Sequence, residues 1–193
     1  VASVVPDLLR VFGHLAKKYF DLEAILVNAY VELGLSFPMS DPGFIGADLI
    51  VNAFAAKEKY QTNCIVCDFG TATTIQLVGE DGHFYGTVIA PGVITSAANL
   101  FSSASMLSNI QLTSPNKILG INTKDALLSG IVTGNTLMVD GIIKRIRTEY
   151  KDLGEIKAIA TGGMSEMICE NSTEIDIIDK TLTLEGLNYI CQK

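Results

Sequence analysis

Histidine is nearly absent: the chain has two, His14 and His83, and neither sits in a His-x-x-x-His spacing. That argues against zinc chemistry of the helical kind and against a histidine-based triad. Positive charge is scarce too, with 14 Lys and Arg against 21 Asp and Glu, a net charge of −7 and a pI near 4.8. No basic run of five residues occurs, so binding to a nucleic-acid backbone, which needs clustered cations to displace counterions, is not expected. Of the four cysteines, Cys64, Cys67, Cys169 and Cys191, only Cys64 and Cys67 have a suggestive spacing. They lie in a strand-like run, where residues three apart point to opposite faces, so they read as two buried small apolar groups. The longest uncharged stretch, Phe84 to Asn116, is broken by Pro91-Gly92 and dotted with Ser, Thr and Asn. It reads as protein interior or subunit interface and not as a membrane span. No secretory signal opens the chain, and Val1 in place of Met makes it read as a fragment whose true start is missing.

What is present is a core. The 193 residues are 48% hydrophobic and 18% charged, with a mean hydropathy of +0.35. That suits one good-sized domain, or one domain plus part of another. Helical spacing is expected over Val4 to Phe20, a strand over Ala24 to Val27, a turn-rich loop over Leu33 to Gly46, and a helix from Ala47 to Tyr60. Residues 1–60 look like the end of a domain whose beginning is absent. From residue 61 onward, strands are expected at Cys64 to Gly70, Thr73 to Val78 and His83 to Ile89, with the Asp81-Gly82 pair favouring a hairpin. A helix follows Gly92, carrying Ile94, Ala97, Ala98, Phe101, Ala104 and Leu107. A longer helical pattern over Thr123 to Tyr150 contains Gly130, Gly134 and Gly141, which mark close packing or a break. Then come a strand at Ile156 to Ala160, the turn Thr161-Gly162-Gly163, a short helix to Cys169, a strand at Ile175 to Ile178 and a helix from Leu184 to Ile190. A strand meander running on into parallel, helix-connected strands is the outline of an α/β, ribonuclease H-like domain.

The chemistry-bearing stretch is Asp68-Phe-Gly-Thr-Ala-Thr-Thr74. An Asp at a strand end can face a cation, Gly70 can bare its amide, and Thr71, Thr73 and Thr74 supply hydroxyls, so the segment could cradle phosphate. A tight turn held by the same residues needs no ligand, and both readings stand. Asp48 starts a helix, where the dipole favours an acid. The loop Pro42-Gly-Phe-Ile-Gly46 before it would also let a ligand approach the backbone at Gly43 and Gly46. Thr123 follows Asn122 at a helix start, which suits capping.

These stretches jointly resemble the type III pantothenate kinases over essentially the whole chain. The resemblance is carried by Ala2-Ser-Val-Val-Pro6, Gly46-Ala-Asp48, Val51-Asn52-Ala53 with Ala55-Ala56, Asp68 to Thr74, and Ala90-Pro-Gly92. Asn122-Thr123, Ser129-Gly130, Ala160-Thr-Gly-Gly163 and Leu182-Thr-Leu-Glu-Gly-Leu187 complete it. It implies an actin-like ATPase superfamily fold, with residues 1–60 as the carboxyl-terminal part of a first ribonuclease H-like domain and 61–193 as a second, largely complete one. It also implies a cytoplasmic homodimer that phosphorylates pantothenate to 4′-phosphopantothenate, the first step of coenzyme A synthesis, using ATP, a divalent cation such as Mg and a monovalent cation such as K or NH4. By the same resemblance Asp48 is the catalytic base, Asp68 the monovalent-cation ligand and Thr71 the ATP-phosphate contact. Gly46, Ala47, Asp48, Leu49 and Thr123 fall at substrate-binding positions.

Three departures stand out. The Asp-x-Gly-Asn-Thr phosphate loop that opens the family's pattern is not in these residues, so the 193-residue chain alone is expected not to turn over. Leu49 stands where the family has Arg, and Met39 where it has a substrate-facing Tyr. An arginine would suit pantothenate's carboxylate far better than a leucine. Two alternatives follow: a non-catalytic regulatory or partner-binding paralogue of the same fold, or an actin-fold kinase for another small alcohol.

Overall fold

The computed structural model describes residues 1–103 and 111–193, and the fold is mixed α/β around a five-stranded sheet of order β3-β2-β1-β4-β5. Ala104 and Leu107, expected on the helix after Gly92, lie outside the described residues. The elements are α1 (Pro6–Phe20), α2 (Ala47–Tyr60), β1 (Asn63–Phe69), β2 (Ala72–Val78), β3 (Phe84–Pro91) and α3 (Val93–Ser103), followed by α4 (Thr123–Leu128) and α5 (Gly134–Glu149). The chain ends with β4 (Ile156–Thr161), α6 (Ser165–Cys169), β5 (Ile177–Ile178) and α7 (Leu182–Cys191). Neighbouring strands β1, β2 and β3 are joined by short turns and must reverse direction. β4 and β5 pair in parallel, Ile159 opposite Ile177, with α6 between them in sequence.

The chain forms two compact units, one of residues 1–64, 76–86 and 181–193, the other of residues 65–75 and 87–180. In the first, α1 starts on Pro6, whose missing N–H costs nothing at a helix start. The strand expected at Ala24 to Val27 does not form. Among the described residues that segment makes isolated backbone bonds, Val27 N–H to the Val1 carbonyl at 2.9 Å and the Val1 amine to the Ile25 carbonyl at 2.6 Å, too few for a ladder. Helix α2 buries Ala47 and every residue from Leu49 to Ala56. Against it lies α7, approaching so closely that a Cβ on Gly186 would sit 2.8 Å from both the Ala55 Cβ and the Val51 carbonyl. Thr183 donates to Asn52 at 2.6 Å, and Lys59 pairs with Glu185 at 2.5 Å. The β2–β3 connection is the expected Asp-Gly hairpin: Gly82 has φ +88°, and the Gly79 N–H meets the His83 carbonyl at 2.8 Å.

In the second unit the long helical pattern is a broken helix. Ser129–Thr133 winds as a π segment between α4 and α5. Gly130, Gly134 and Gly141 all have open space where a Cβ would point, so none marks close packing; Gly130 lies in the break and Gly134 directly after it, while Gly141 sits within regular α5. Thr123–Glu149 is long and apolar enough to cross a bilayer by length and composition alone, and 44% of its most apolar window is buried within the protein. Asp140, inside that run, is only 5% exposed and accepts bonds from the Ser172 hydroxyl and from the N–H and hydroxyl of Thr173. Arg147 near its end bonds the Ile156 carbonyl, Glu174 and Asp176. These contacts fasten the 172–176 segment, which leads into β5, to α5.

Candidate functional site

In the first unit, Gly46 is the residue before α2 and Ala47 its first residue; Ala47 is buried and Asp48 exposed. Asp48 folds back over the helix start, where a Cβ on Gly46 would collide with its carboxylate. It makes no hydrogen bond or ion pair among the described residues, so its oxygens are available to accept a proton. Beside it lies a cavity of about 280 Å³ lined by Ser3, Val4, Asn28, Gly43, Gly46 and Ala47, among others. At Gly43 the Asp41 carboxylate accepts the Gly43 N–H at 2.9 Å and the Tyr30 hydroxyl at 2.5 Å. Those two bonds hold the Asp41 carboxyl below its usual range, and the Asp41 partner raises Tyr30. Leu49 is different: it is 5% exposed and belongs to the core, while its carbonyl accepts from the buried Gln76 amide at 3.0 Å.

In the second unit, three glycine-bearing motifs far apart in sequence converge on one turn. Asp68 is the next-to-last residue of β1, which ends at Phe69, and Gly70-Thr71 connects β1 to β2. Gly92 lies so close to the Thr71 and Gly70 carbonyls that any Cβ there would overlap them. Gly162, at φ +90°, has room only for hydrogen where a Cβ would be 2.6 Å from the Asp68 carboxylate and 2.7 Å from the Phe69 N. The Gly92 N–H and the Thr95 hydroxyl, at 2.9 Å, both donate to the Thr71 carbonyl. Of the three threonines expected to offer hydroxyls, only Thr71 is exposed. Thr73 and Thr74 are buried in β2 with the core. Gly92 and Gly162 belong to motifs that match the family but have no role legible in the sequence, because a close approach of backbone to a turn tens of residues away leaves no local trace.

Thr123, also in this unit, is exposed at the first position of α4. The cap is Asn122, whose side chain accepts the Asp125 N–H at 2.9 Å, so Thr123 is not the capping residue. No group of three or more His, Cys, Asp or Glu gathers among the described residues.

The four cysteines are free thiols, with Cys64 and Cys67 buried and Cys191 exposed. Burial pushes the Cys67 thiol far above its ordinary value of 9.0, and pushes Cys169 up to about 12. Both stay neutral when folded at pH values where the unfolded chain would ionise them. The stability they contribute is therefore intact below about pH 9 and lost as pH rises through the folded values. Thiol titration with a disulfide reagent is expected to find Cys191 at once and Cys64 and Cys67 only on unfolding. Melting temperature should decline above about pH 9, less steeply in Cys67→Ala. Fast labelling of Cys67 in the native protein would contradict this.

A glycine-packed Asp-x-Gly-Thr turn in one unit and an exposed carboxylate at a helix start in the other are groups of the kind that phosphoryl transfer uses. The family model for type III pantothenate kinase matches residues 1–145 of the 193, and the chain belongs to that family. Its members are kinases that use ATP and a divalent cation, with pantothenate as substrate. Among solved structures the chain is similar to a Campylobacter jejuni protein described as a "conserved putative Baf family transcriptional activator". The two share 22% identity over 91% of this chain and 86% of that one, at a TM-score of 0.54, which is a likeness of fold. An ethanolamine utilization protein, EutJ, of Carboxydothermus hydrogenoformans aligns with 96% of this chain and 77% of its own at 16% identity and a TM-score of 0.42.

Proposed function

We propose that the protein transfers the γ-phosphoryl group of ATP to the primary hydroxyl of pantothenate, giving 4′-phosphopantothenate. The observation that carries this is the exposed, unpaired Asp48 carboxylate beside the Gly46–Ala47 cavity, in a chain of this family. Asp48 accepts the hydroxyl proton, while Gly46 and Ala47 position the acceptor, and Thr123 serves the acceptor held by the neighbouring subunit. Thr71, exposed on a turn that Gly92 and Gly162 fix from two sides, binds ATP phosphate, and Asp68 at the adjoining strand end ligates the monovalent cation. The divalent cation, when bound with ATP, neutralises phosphate charge. Residues 1–60 then form the tail of one ribonuclease H-like domain of the actin-like superfamily, and 61–193 a second, in a cytoplasmic enzyme. Mass spectrometry of a reaction of the full-length protein with ATP, Mg and pantothenate tests the assignment. A product heavier than pantothenate by one phosphoryl group is expected, with loss of rate in Thr71→Val. No product under any cation condition would overturn it.

The enzyme works as a homodimer on this reading, joined through the second unit. The supporting feature is apolar exposure: Ile89 and Ile94, within the uncharged stretch Phe84 to Asn116, and Ile118, Leu119 and Ile121, which follow Lys117, are all exposed, Ile121 to 96%. Sedimentation of the full-length protein is expected to give a dimer at micromolar concentration, and Leu119→Asp with Ile121→Asp a monomer. A wild-type monomer would contradict the interface.

A further inference from the structure

We propose that Thr95, on the first turn of α3, is a positioning residue that holds the Thr71 hydroxyl in place for an ATP phosphate, acting through the Thr71 carbonyl. This rests on reading Thr71 as the phosphate contact. The bond joins two segments of the second unit that are 24 residues apart in sequence, the Thr95 hydroxyl donating to the Thr71 carbonyl at 2.9 Å. A threonine in a helix commonly turns its hydroxyl back to a carbonyl three or four residues earlier. Here the hydroxyl reaches out of α3 to the turn between β1 and β2.

A backbone carbonyl has two acceptor positions, and at Thr71 both are in use: the Gly92 N–H takes one at 3.2 Å and the Thr95 hydroxyl the other. The peptide from Thr71 to Ala72 therefore cannot swing without straining both bonds. Elsewhere the turn is fastened by backbone, with the Gly70 N–H on the Ala72 carbonyl at 3.1 Å, the Met164 N–H on the Phe69 carbonyl at 3.4 Å, and Gly162 packed against Asp68 and Phe69. Thr95 adds a side chain to that frame, so its share can be removed while the backbone path stays as it is. Thr71 itself is exposed, and tying its carbonyl to α3 fixes the Cα that carries its hydroxyl. A donor to a phosphate oxygen has to be held to within about 0.5 Å of its working position. Thr95 is half-buried, so water can replace part of the lost bond and the expected effect is moderate.

Calorimetry with a non-hydrolysable ATP analogue and Mg, together with steady-state kinetics, tests this on the full-length protein. Thr95→Val keeps the branched shape and removes the hydroxyl. The analogue should then bind about three- to tenfold more weakly, and the KM for ATP should rise by a similar factor while kcat and the KM for pantothenate stay within about twofold. Thr95→Ser keeps the hydroxyl and should restore most of the affinity. Because Thr95 acts through Thr71, adding Thr95→Val to Thr71→Val should weaken binding little further. Unchanged analogue binding in Thr95→Val, with Thr71→Val weakened, would overturn the proposal and leave the phosphate reading of Thr71 standing. A loss in Thr95→Val that Thr95→Ser shares would make Thr95 a packing residue and overturn it as well. Unchanged binding in Thr71→Val would overturn both.

Discussion

Asp48→Asn is expected to lower kcat by about 10²–10⁴ while the KM for ATP stays within about twofold, because a positioned base contributes that much to rate and little to nucleotide binding. The amide keeps the carboxylate's size and can still lie back over the bare Cα of Gly46. What it loses is the capacity to take the acceptor's proton. Stability should change little, since Asp48 is exposed and has no hydrogen bond or ion pair among the described residues; only a favourable placement near the helix dipole is lost, worth roughly 0.3–1 kcal/mol. Steady-state kinetics with a thermal melt on the same preparation separates the outcomes. A variant with normal kcat and a lowered melting temperature would make Asp48 a helix-start acid and remove it from the chemistry. A variant with normal kcat and weakened ATP binding would make it a nucleotide ligand.

Much of the fold was legible because local patterns and packing agreed. The α2 periodicity, the Asp81-Gly82 hairpin and the strand order β1-β2-β3 follow from residue types that serve the same structure at every level. Misreadings occurred where an element depends on something outside its own segment. Ala24 to Val27 has strand composition, yet a strand needs a ladder, and among the described residues its backbone partner is Val1 alone. The glycines of the long helical pattern signalled an irregularity without its type, because a π turn and a close crossing call for the same small residue.

The motifs divide in a similar way. Val51-Asn52-Ala53 and Leu182 to Leu187 carry the family resemblance in sequence and form the two sides of the α2–α7 contact, with Gly186 against Val51 and Ala55, and Thr183 on Asn52. Ala90-Pro-Gly92 and Ala160 to Gly163 look like turns and prove to be what holds Asp68 to Thr71 in place. Asp48, Gly46 and Thr71 were open to proposal from the sequence because the chemistry proposed for them, through the family resemblance, attaches to a residue type at one position. The convergence of Gly92 and Gly162 was not, because it exists only in three dimensions.

Leu49→Arg, the change that matching the family's pattern would suggest, is expected to destabilise the protein and not to improve its affinity. On the sequence argument, an arginine there makes charge-assisted bonds to the substrate carboxylate, each worth about 1.5–3 kcal/mol. The structure puts Leu49 at 5% exposure on a helix turn where Ala47, Ile50 and Val51 are also buried, with the neighbouring Gln76 1% exposed. An arginine in that space overpacks the core and brings a charge that needs a partner. An uncompensated buried charge costs about 3–5 kcal/mol, a large share of the 5–15 kcal/mol by which a typical domain is stable. For a chain of this length each kcal/mol is about 2–4 °C, so the melting temperature should fall by roughly 6–20 °C. Leu49→Met, which keeps the volume and adds no charge, should cost less than about 1.5 kcal/mol. The contrast between the two isolates charge burial from any general sensitivity of α2. An arginine variant that melted like wild type and bound pantothenate more tightly would mean that its long stem carries the guanidinium out to solvent and substrate. Position 49 would then be a ligand contact after all, and the loss of arginine there a change in specificity.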